Sequence, residues 1–306
     1  MPAFLKWGLA VAALIVVGGA GVVQWPVDRP VPPIPPDGAA ARGAYLARAA
    51  GCIACHTDSA RGGAPLAGGA PIETPFGGFV PPNLTTDPGH GIGAWTAEDF
   101  ARAVRQGLSP GGEPYYPAFP YAFYAHLSDR DIADLWAAFR TVPPVAEPAP
   151  GNAVDFPFDQ RAGLKLWRAA FLEAQDTAPV PGRSEDWNRG RWLVEGVAHC
   201  GACHTDRNAL GARRTEARLE GSDDLPGGKR APAITPAALA RAGWSVETLS
   251  YALKSGVRPD GDVFGAGMGE VVAQGTAWLE PADRRAMAIY LMDERPVRAA
   301  NGSDSE

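Results

Sequence analysis

Three patterns of hydrophobic and polar positions succeed one another along the chain. From Trp7 to Trp25, 19 positions carry no formal charge. At ~1.5 Å per residue that is about 28 Å of helix, close to the depth of a hydrocarbon core. Lys6 precedes the stretch and tryptophans stand at both ends, where interfacial aromatics sit. Residues 1–25 therefore read as an N-terminal membrane anchor or signal, with the bulk of the chain outside. A retained helix is the preferred reading. The competitor is a cleaved signal peptide with its apolar region at Leu9–Val17 and small residues at Gly18–Gly21.

Residues 26–36 read PVDRPVPPIPP. So many prolines exclude helix and sheet interior and leave an extended spacer, about 30 Å long at ~3.1 Å per residue. Beyond it the pattern becomes helical and repeats at an offset near 149 residues. Gly43-Ala44-Tyr45-Leu46 matches Gly190-Arg191-Trp192-Leu193, and Pro82-Asn83-Leu84-Thr85 matches Pro232-Ala233-Ile234-Thr235. The run from Trp95 to Pro110 matches that from Trp244 to Pro259, and a final helix at Ser128–Arg140 matches Glu280–Met292. In that helix Ile132, Leu135, Trp136 and Phe139 form one apolar face. Asp37 and Ser184 are the expected N-caps of the two first helices. Thr96 with Asp99, and more weakly Ser245 with Thr248, read as capping boxes. Gly43 and Gly190 would let the first helix of each copy cross the last one closely.

The implied layout is a first repeat at 37–143, a linker at 144–183, a second repeat at 184–298 and a disordered tail at 299–306. Within the linker, Leu164, Trp167 and Phe171 predict a connecting helix over Asp159–Leu172, packed between the two domains. No strand is expected anywhere. The chain is mainly α.

Composition narrows the class. At 46 % hydrophobic and 20 % charged residues the chain is not disordered. Its 37 Gly and 30 Pro favour long loops wrapped on a scaffold. A net charge of −6 argues against nucleic acid as a partner.

The chemistry lies in Cys52-Ile53-Ala54-Cys55-His56 and its copy Cys200-Gly201-Ala202-Cys203-His204. This spacing is the attachment signature of c-type haem. Two thiols three positions apart form thioethers to the two vinyl groups of one porphyrin, and the next residue supplies the proximal imidazole. Zinc would require further ligands at suitable spacing. A thioredoxin-like pair has no need of the trailing His and sits in a βαβ pattern absent here. A structural disulfide is the remaining competitor. All four cysteines of the chain are consumed by the two motifs. Two covalent haems are expected, with Cys52, Cys55, Cys200 and Cys203 binding them and His56 and His204 on the irons. Covalent haem attachment implies export, because bacteria carry out that ligation outside the cytoplasmic membrane.

A second axial ligand is expected for an electron carrier. Met287 and Met292 fall inside the last helix, where a core or surface role is the simpler one. Met268 lies in Phe264-Gly265-Ala266-Gly267-Met268-Gly269, read as a glycine-rich loop able to fold over a porphyrin face, and is assigned to the second iron. A loop Met packed on apolar neighbours is the alternative. Its counterpart at the repeat offset is Phe119, which cannot ligate. For the first iron the candidates are His126, His90 or no protein ligand at all. His199, next to Cys200, is expected to be an exposed neighbour of the motif.

The segments Pro82-Asn83-Leu84-Thr85-Thr86-Asp87, Gly91-Ile92-Gly93-Ala94-Trp95-Thr96 and Tyr116-Pro117-Ala118-Phe119-Pro120-Tyr121 resemble the cytochrome c subunit of membrane-bound alcohol and gluconate dehydrogenases, over about residues 37–296. The resemblance implies the mainly α mono-haem cytochrome c domain, repeated; with residues 1–25 read as an N-terminal transmembrane helix, the expected arrangement is two tandem cytochrome c-like haem domains in the periplasm, anchored to the cytoplasmic membrane. The resemblance also implies electron transfer from a periplasmic dehydrogenase or other donor to a quinone, cytochrome or oxidase of the respiratory chain. Two departures stand out. Those subunits usually carry three haem motifs, and often a Met where this chain has Phe119. No hydrolytic triad or nucleotide fingerprint is visible, so the chain is expected to be a carrier. The alternative is a dihaem enzyme, a peroxidase or sulfur-compound dehydrogenase, with the first haem catalytic.

Overall fold

A helix begins where some group satisfies its first exposed backbone N–H donors. The computed structural model describes residues 7, 21, 25–173, 176–225 and 228–293. The proposed anchor stretch, apart from Trp7, Gly21 and Trp25, and the tail at 299–306 lie outside the described residues. Among the described residues no helix is long and apolar enough to cross a membrane.

The helices are α1 (Ala40–Ala49), α2 (Cys52–Cys55), α3 (Ala97–Gln106), α4 (Tyr121–Tyr124), α5 (Asp129–Phe139), α6 (Ala162–Phe171), α7 (Glu185–Trp192), α8 (Pro236–Arg241), α9 (Val246–Ser255), α10 (Ala266–Gln274) and α11 (Pro281–Leu291). By compactness the chain divides into two units. Unit one holds Met1–Ala44, Cys55–Gln175 and Ala209–Arg213; unit two holds Tyr45–Ala54, Asp176–Asn208 and Arg214–Glu306.

The capping expectations hold with one exception. Thr96 Oγ1 accepts from Asp99 N at 3.1 Å while Asp99 Oδ2 accepts from Thr96 N at 3.1 Å. Ser245 and Thr248 form the same reciprocal pair at 3.2 and 2.8 Å. Ser184 Oγ accepts from Trp187 N at 3.1 Å. Asp37, however, does not cap α1. It lies ahead of the helix and pairs with Arg130 at 3.1 Å. The Ala39 N–H goes instead to Asp134 Oδ1 of α5, at 2.6 Å. A cap supplied from 95 residues away has no local sequence signature.

Among the described residues five short strands overturn the expectation of none. In unit one β1 (Ile72–Thr74), β2 (Gly77–Phe79) and β3 (Ala153–Val154) pair antiparallel in that order. In unit two β4 (Ser222–Leu225) pairs antiparallel with β5 (Lys229–Ala231). Runs of two to four residues are too short to show alternation, and β4 reads Ser-Asp-Asp-Leu. The connecting helix α6 forms in unit one. Leu164, Trp167 and Phe171 are half-buried, while its buried member is Arg168, whose Nη2 donates to Gln106 O at 2.7 Å.

The crossing of first and last helices organises each core. In unit one a Cβ on Gly43 would fall 1.7 Å from Asp134 O, so backbone meets backbone. In unit two a Cβ on Gly190 would fall 1.9 Å from Ala286 O. Around these contacts α5 buries Ile132, Leu135 and Phe139, and α11 buries Met287, Ile289 and Leu291. The Phe100 ring of α3 lies 5.4 Å from Phe139 and from Trp136. Each fully buried side chain of this size stabilises by about 1.5–3 kcal/mol.

Asp134 is 0 % exposed. Arg42 Nη1 donates to it at 2.5 Å, and Arg130 Nε lies 3.0 Å away. Burial alone would raise its carboxyl, but the Ala39 N–H and the two guanidinium groups outweigh that and hold it below the ordinary carboxylate value. A depressed folded value means stabilisation present above the unfolded value, about 3.9, and lost as pH falls through the folded one. Asp134→Asn is therefore expected to cost on the order of 2 kcal/mol near neutral pH, the buried-pair figure discounted for two half-exposed arginines. Thermal unfolding followed downward in pH should show the gap to wild type closing below about pH 4. A constant gap would contradict this assignment.

Candidate functional site

Both Cys-x-x-Cys-His motifs sit on single tight turns. The first is α2, preceded by Gly51 in a left-handed conformation, φ +69°. The second is a 3₁₀ turn, Cys200–Ala202, with His204 N donating to Cys200 O at 3.0 Å. Cys52 and Cys200 are half-buried, Cys55 and Cys203 exposed, and none of the four is in a disulfide. Among the described residues no three His, Cys, Asp or Glu side chains converge as a metal cluster would require.

The two histidines are held identically. His56 Nδ1 lies 2.7 Å from Pro82 O, and His204 Nδ1 lies 2.7 Å from Pro232 O. A carbonyl only accepts, so each Nδ1 carries the proton and each Nε2 keeps its lone pair. Burial pushes the His56 imidazole down to about 4, partly offset by that carbonyl. His204 is lowered for the same reasons. Both are neutral at physiological pH, the state a metal ligand requires.

The loop after each motif is also duplicated. Thr57 Oγ1 accepts from Leu66 N at 3.1 Å, and Thr205 Oγ1 from Leu219 N at 3.1 Å. Leu66 and Leu219 are both left-handed, at φ 62° and 63°. Gly68 N donates to His56 O and Gly221 N to His204 O, each at 3.0 Å. Leu84 N and Ile234 N close the loop onto Leu66 O and Leu219 O at 2.8 and 2.9 Å. This fold-back brings Pro82 and Pro232 to the imidazoles. The sequence match of Pro82 with Pro232 was visible; the part they play was not, because it belongs to backbone carbonyls.

Unit two departs from the pattern just ahead of its motif. Leu193–Val197 widens to a π turn that buries Glu195, 1 % exposed. The Tyr290 hydroxyl donates to this carboxylate, and Arg218 Nε lies 3.5 Å from it. Burial, then the Glu195 charge, push the Cys200 thiol up to about 12. His199 is not the exposed neighbour expected. It is half-buried, left-handed at φ +40°, and its Nδ1 lies 3.2 Å from Val197 O.

The distal candidates sort by the repeat. Gly107 and Gly256 end α3 and α9 in left-handed caps. Tyr115 N returns to Gly107 O, and Phe264 N to Gly256 O, both at 2.8 Å. Phe119 and Met268 each follow that return by four residues, so their equivalence is structural. Met268 is half-buried in unit two with the second motif. It stands third in α10, not in a loop: Gly269 N already donates to Gly265 O at 3.2 Å, so the glycines are absorbed into a helix. Phe119 lies among Tyr115, Tyr121 and Tyr124, ring centroids 6.0–6.1 Å away. His126 is half-buried, and burial holds its imidazole below the ordinary value. His90 is exposed on a loop where its backbone N–H donates to Asp87 Oδ1 at 2.6 Å.

The chain is similar in sequence to known proteins over most of its length. A cytochrome c family model matches residues 40–139. A dihaem cytochrome c-type protein of Cereibacter sphaeroides is 40 % identical over 92 % of this chain and 95 % of its own length. The chain belongs to the cytochrome c family. More narrowly, it is similar to the cytochrome c subunit of a quinone alcohol dehydrogenase from Gluconacetobacter polyoxogenes, 36 % identical over 98 % of this chain. The cytochrome c subunit of a gluconate 2-dehydrogenase from Pantoea cypripedii is 39 % identical over 82 % of it. The chain spans 64 % and 58 % of the length of those two subunits.

Haem c is the cofactor of this family, and electron transport its work. The donor sets suit it. Each motif offers two thiols on one turn and a neutral imidazole whose Nδ1 is already committed, leaving Nε2 as the ligand atom.

Proposed function

We propose that this chain is a periplasmic dihaem electron carrier tethered to the cytoplasmic membrane by its N-terminal helix. It takes electrons from a dehydrogenase, or another donor, and delivers them to a quinone, cytochrome or oxidase of the respiratory chain. Its two cytochrome c domains are residues 37–143 and 184–298. Cys52 and Cys55 hold the first haem and His56 ligates it; Cys200, Cys203 and His204 do the same for the second, with Met268 as its sixth ligand. The observation that carries this reading is the paired imidazole anchor, 2.7 Å from a proline carbonyl in both motifs. The dehydrogenase donor is supported by the names of the alcohol and gluconate dehydrogenase relatives.

Each bound haem supplies a one-electron ferric/ferrous couple. The protein's part is to fix the ligand and tune the potential. Met268 is a soft neutral donor and favours the ferrous state, so the second site is expected to have the higher potential. Met268→Ala should lower that potential alone, by about 0.1–0.3 V of the ~0.8 V that axial ligands span. Phe119→Met should raise the first and add a thioether-to-iron band to its spectrum. Potentiometric titration with optical detection checks both. A Met268→Ala protein that titrates like wild type would refute the assignment.

Phe119 keeps one second reading in view. If the first iron has an open face, the chain is a dihaem enzyme such as a peroxidase. Peroxide turnover by the reduced protein well above that of a simple carrier would favour it.

A further inference from the structure

Gly51 and His199 hold the same place in the two repeats, each directly before the first cysteine of its motif. Both are left-handed, at φ +69° and +40°. Glycine adopts that conformation at no cost, whereas a histidine there is uncommon and strained. Strain of this kind persists where surrounding structure holds it and clusters at functional positions. The repeat supplies glycine at 51; at 199 the chain carries an imidazole instead.

The ring has a definite destination. Residues 45–54 belong to unit two, as does His199. There the imidazole lies against Gly51: a Cβ on that glycine would fall 3.3 Å from His199 Cε1 and 3.8 Å from Nε2. The bond of His199 Nδ1 to Val197 O at 3.2 Å sets the ring's tilt. The two residues are therefore neighbours: a side chain at 51 would press on the ring at 199, which would have to give by a few tenths of an ångström. Within unit two the residue before Cys52 and the residue before Cys200 thus lie side by side.

We propose that His199 is the positioning residue that couples the two attachment turns, packing one against the other so that an electron passes between the groups they hold. The inference rests on the two-haem reading above. The passage it serves moves one electron and no atoms; the ferrous donor becomes ferric as the ferric acceptor becomes ferrous.

The test uses the full-length holoprotein with His199→Gly, which restores the residue of the other repeat, and His199→Asn, which tolerates the left-handed backbone but lacks the ring. Fully ferric protein is reduced by a pulse of less than one electron per chain, and redistribution between the haems is followed by their visible spectra. Both variants are expected to keep two covalent haems and unaltered proximal ligation. Their internal transfer rate should fall about tenfold, because packed contacts give way to a gap. A wild-type rate in either variant overturns the proposal. Loss of a haem in both overturns it too, since His199 would then serve attachment. A wild-type protein with fewer than two haems fails the parent reading instead, and the haem count made on the same sample tells the two failures apart.

Discussion

With Cys200 and Cys203 both changed to serine, the chain is expected to keep one covalent haem, and with Cys52 and Cys55 changed as well, none. A serine hydroxyl does not add across a porphyrin vinyl group to form the thioether, and no other cysteine exists to substitute. The effect is selective because each motif has its own imidazole, its own proline carbonyl and its own fold-back loop. The protein lacking Cys200 and Cys203 should retain the lower-potential wave in a redox titration and lose the higher one. Denaturing mass spectrometry and haem-stained gels give the count; titration gives the identity. A protein that kept both haems, or lost both together, would contradict the assignment of one haem per motif.

Gly190→Ala is expected to destabilise unit two by about 3 kcal/mol or more, at the upper end of overpacking costs. The new methyl would lie 1.9 Å from Ala286 O, 2.6 Å from its carbonyl carbon and 2.8 Å from Tyr290 Cβ. Two of these are backbone atoms of α11, so no rotamer change relieves the clash. The helices must separate, and with them the buried faces of Met287, Ile289 and Leu291. Gly43→Ala should act in the same way on unit one, 1.7 Å from Asp134 O. Melting temperatures should drop by roughly 10 °C or more for domains of this size. The control is Gly163→Ala inside α6, where nothing lies within 4 Å of the added Cβ. There alanine should stabilise by about 0.5–1 kcal/mol, since only helix propensity changes. Equal responses at Gly190 and Gly163 would show that close helix contact is not what the first of these glycines provides.

Much of this was legible in the chain, for local reasons. A capping box, an apolar helix face and a Cys-x-x-Cys-His spacing each fit within a few residues, and Thr96, Ser184, Ile132 and Cys52 behave as those patterns require. Gly43 and Gly190 were legible because repetition singled them out. What escaped depends on distant partners or on backbone. Asp134, not Asp37, meets the start of α1 from the far end of the first repeat. Pro82 and Pro232 act through carbonyls that any residue would supply. The strands are shorter than one full alternation. Met268 sits in a helix because two glycines weaken helical propensity without forbidding it. His199 is half-buried where its place beside the motif suggests exposure, and one neighbour of its ring is Gly51, a residue with no side chain to announce the contact.

The most direct measurement is the haem content of the purified full-length protein after complete denaturation, set against its polypeptide concentration. Two haems per chain that stay with the unfolded polypeptide through acidified organic solvent are the expected result. A pigment that extracts, or a ratio of one or none, would contradict the account at its root.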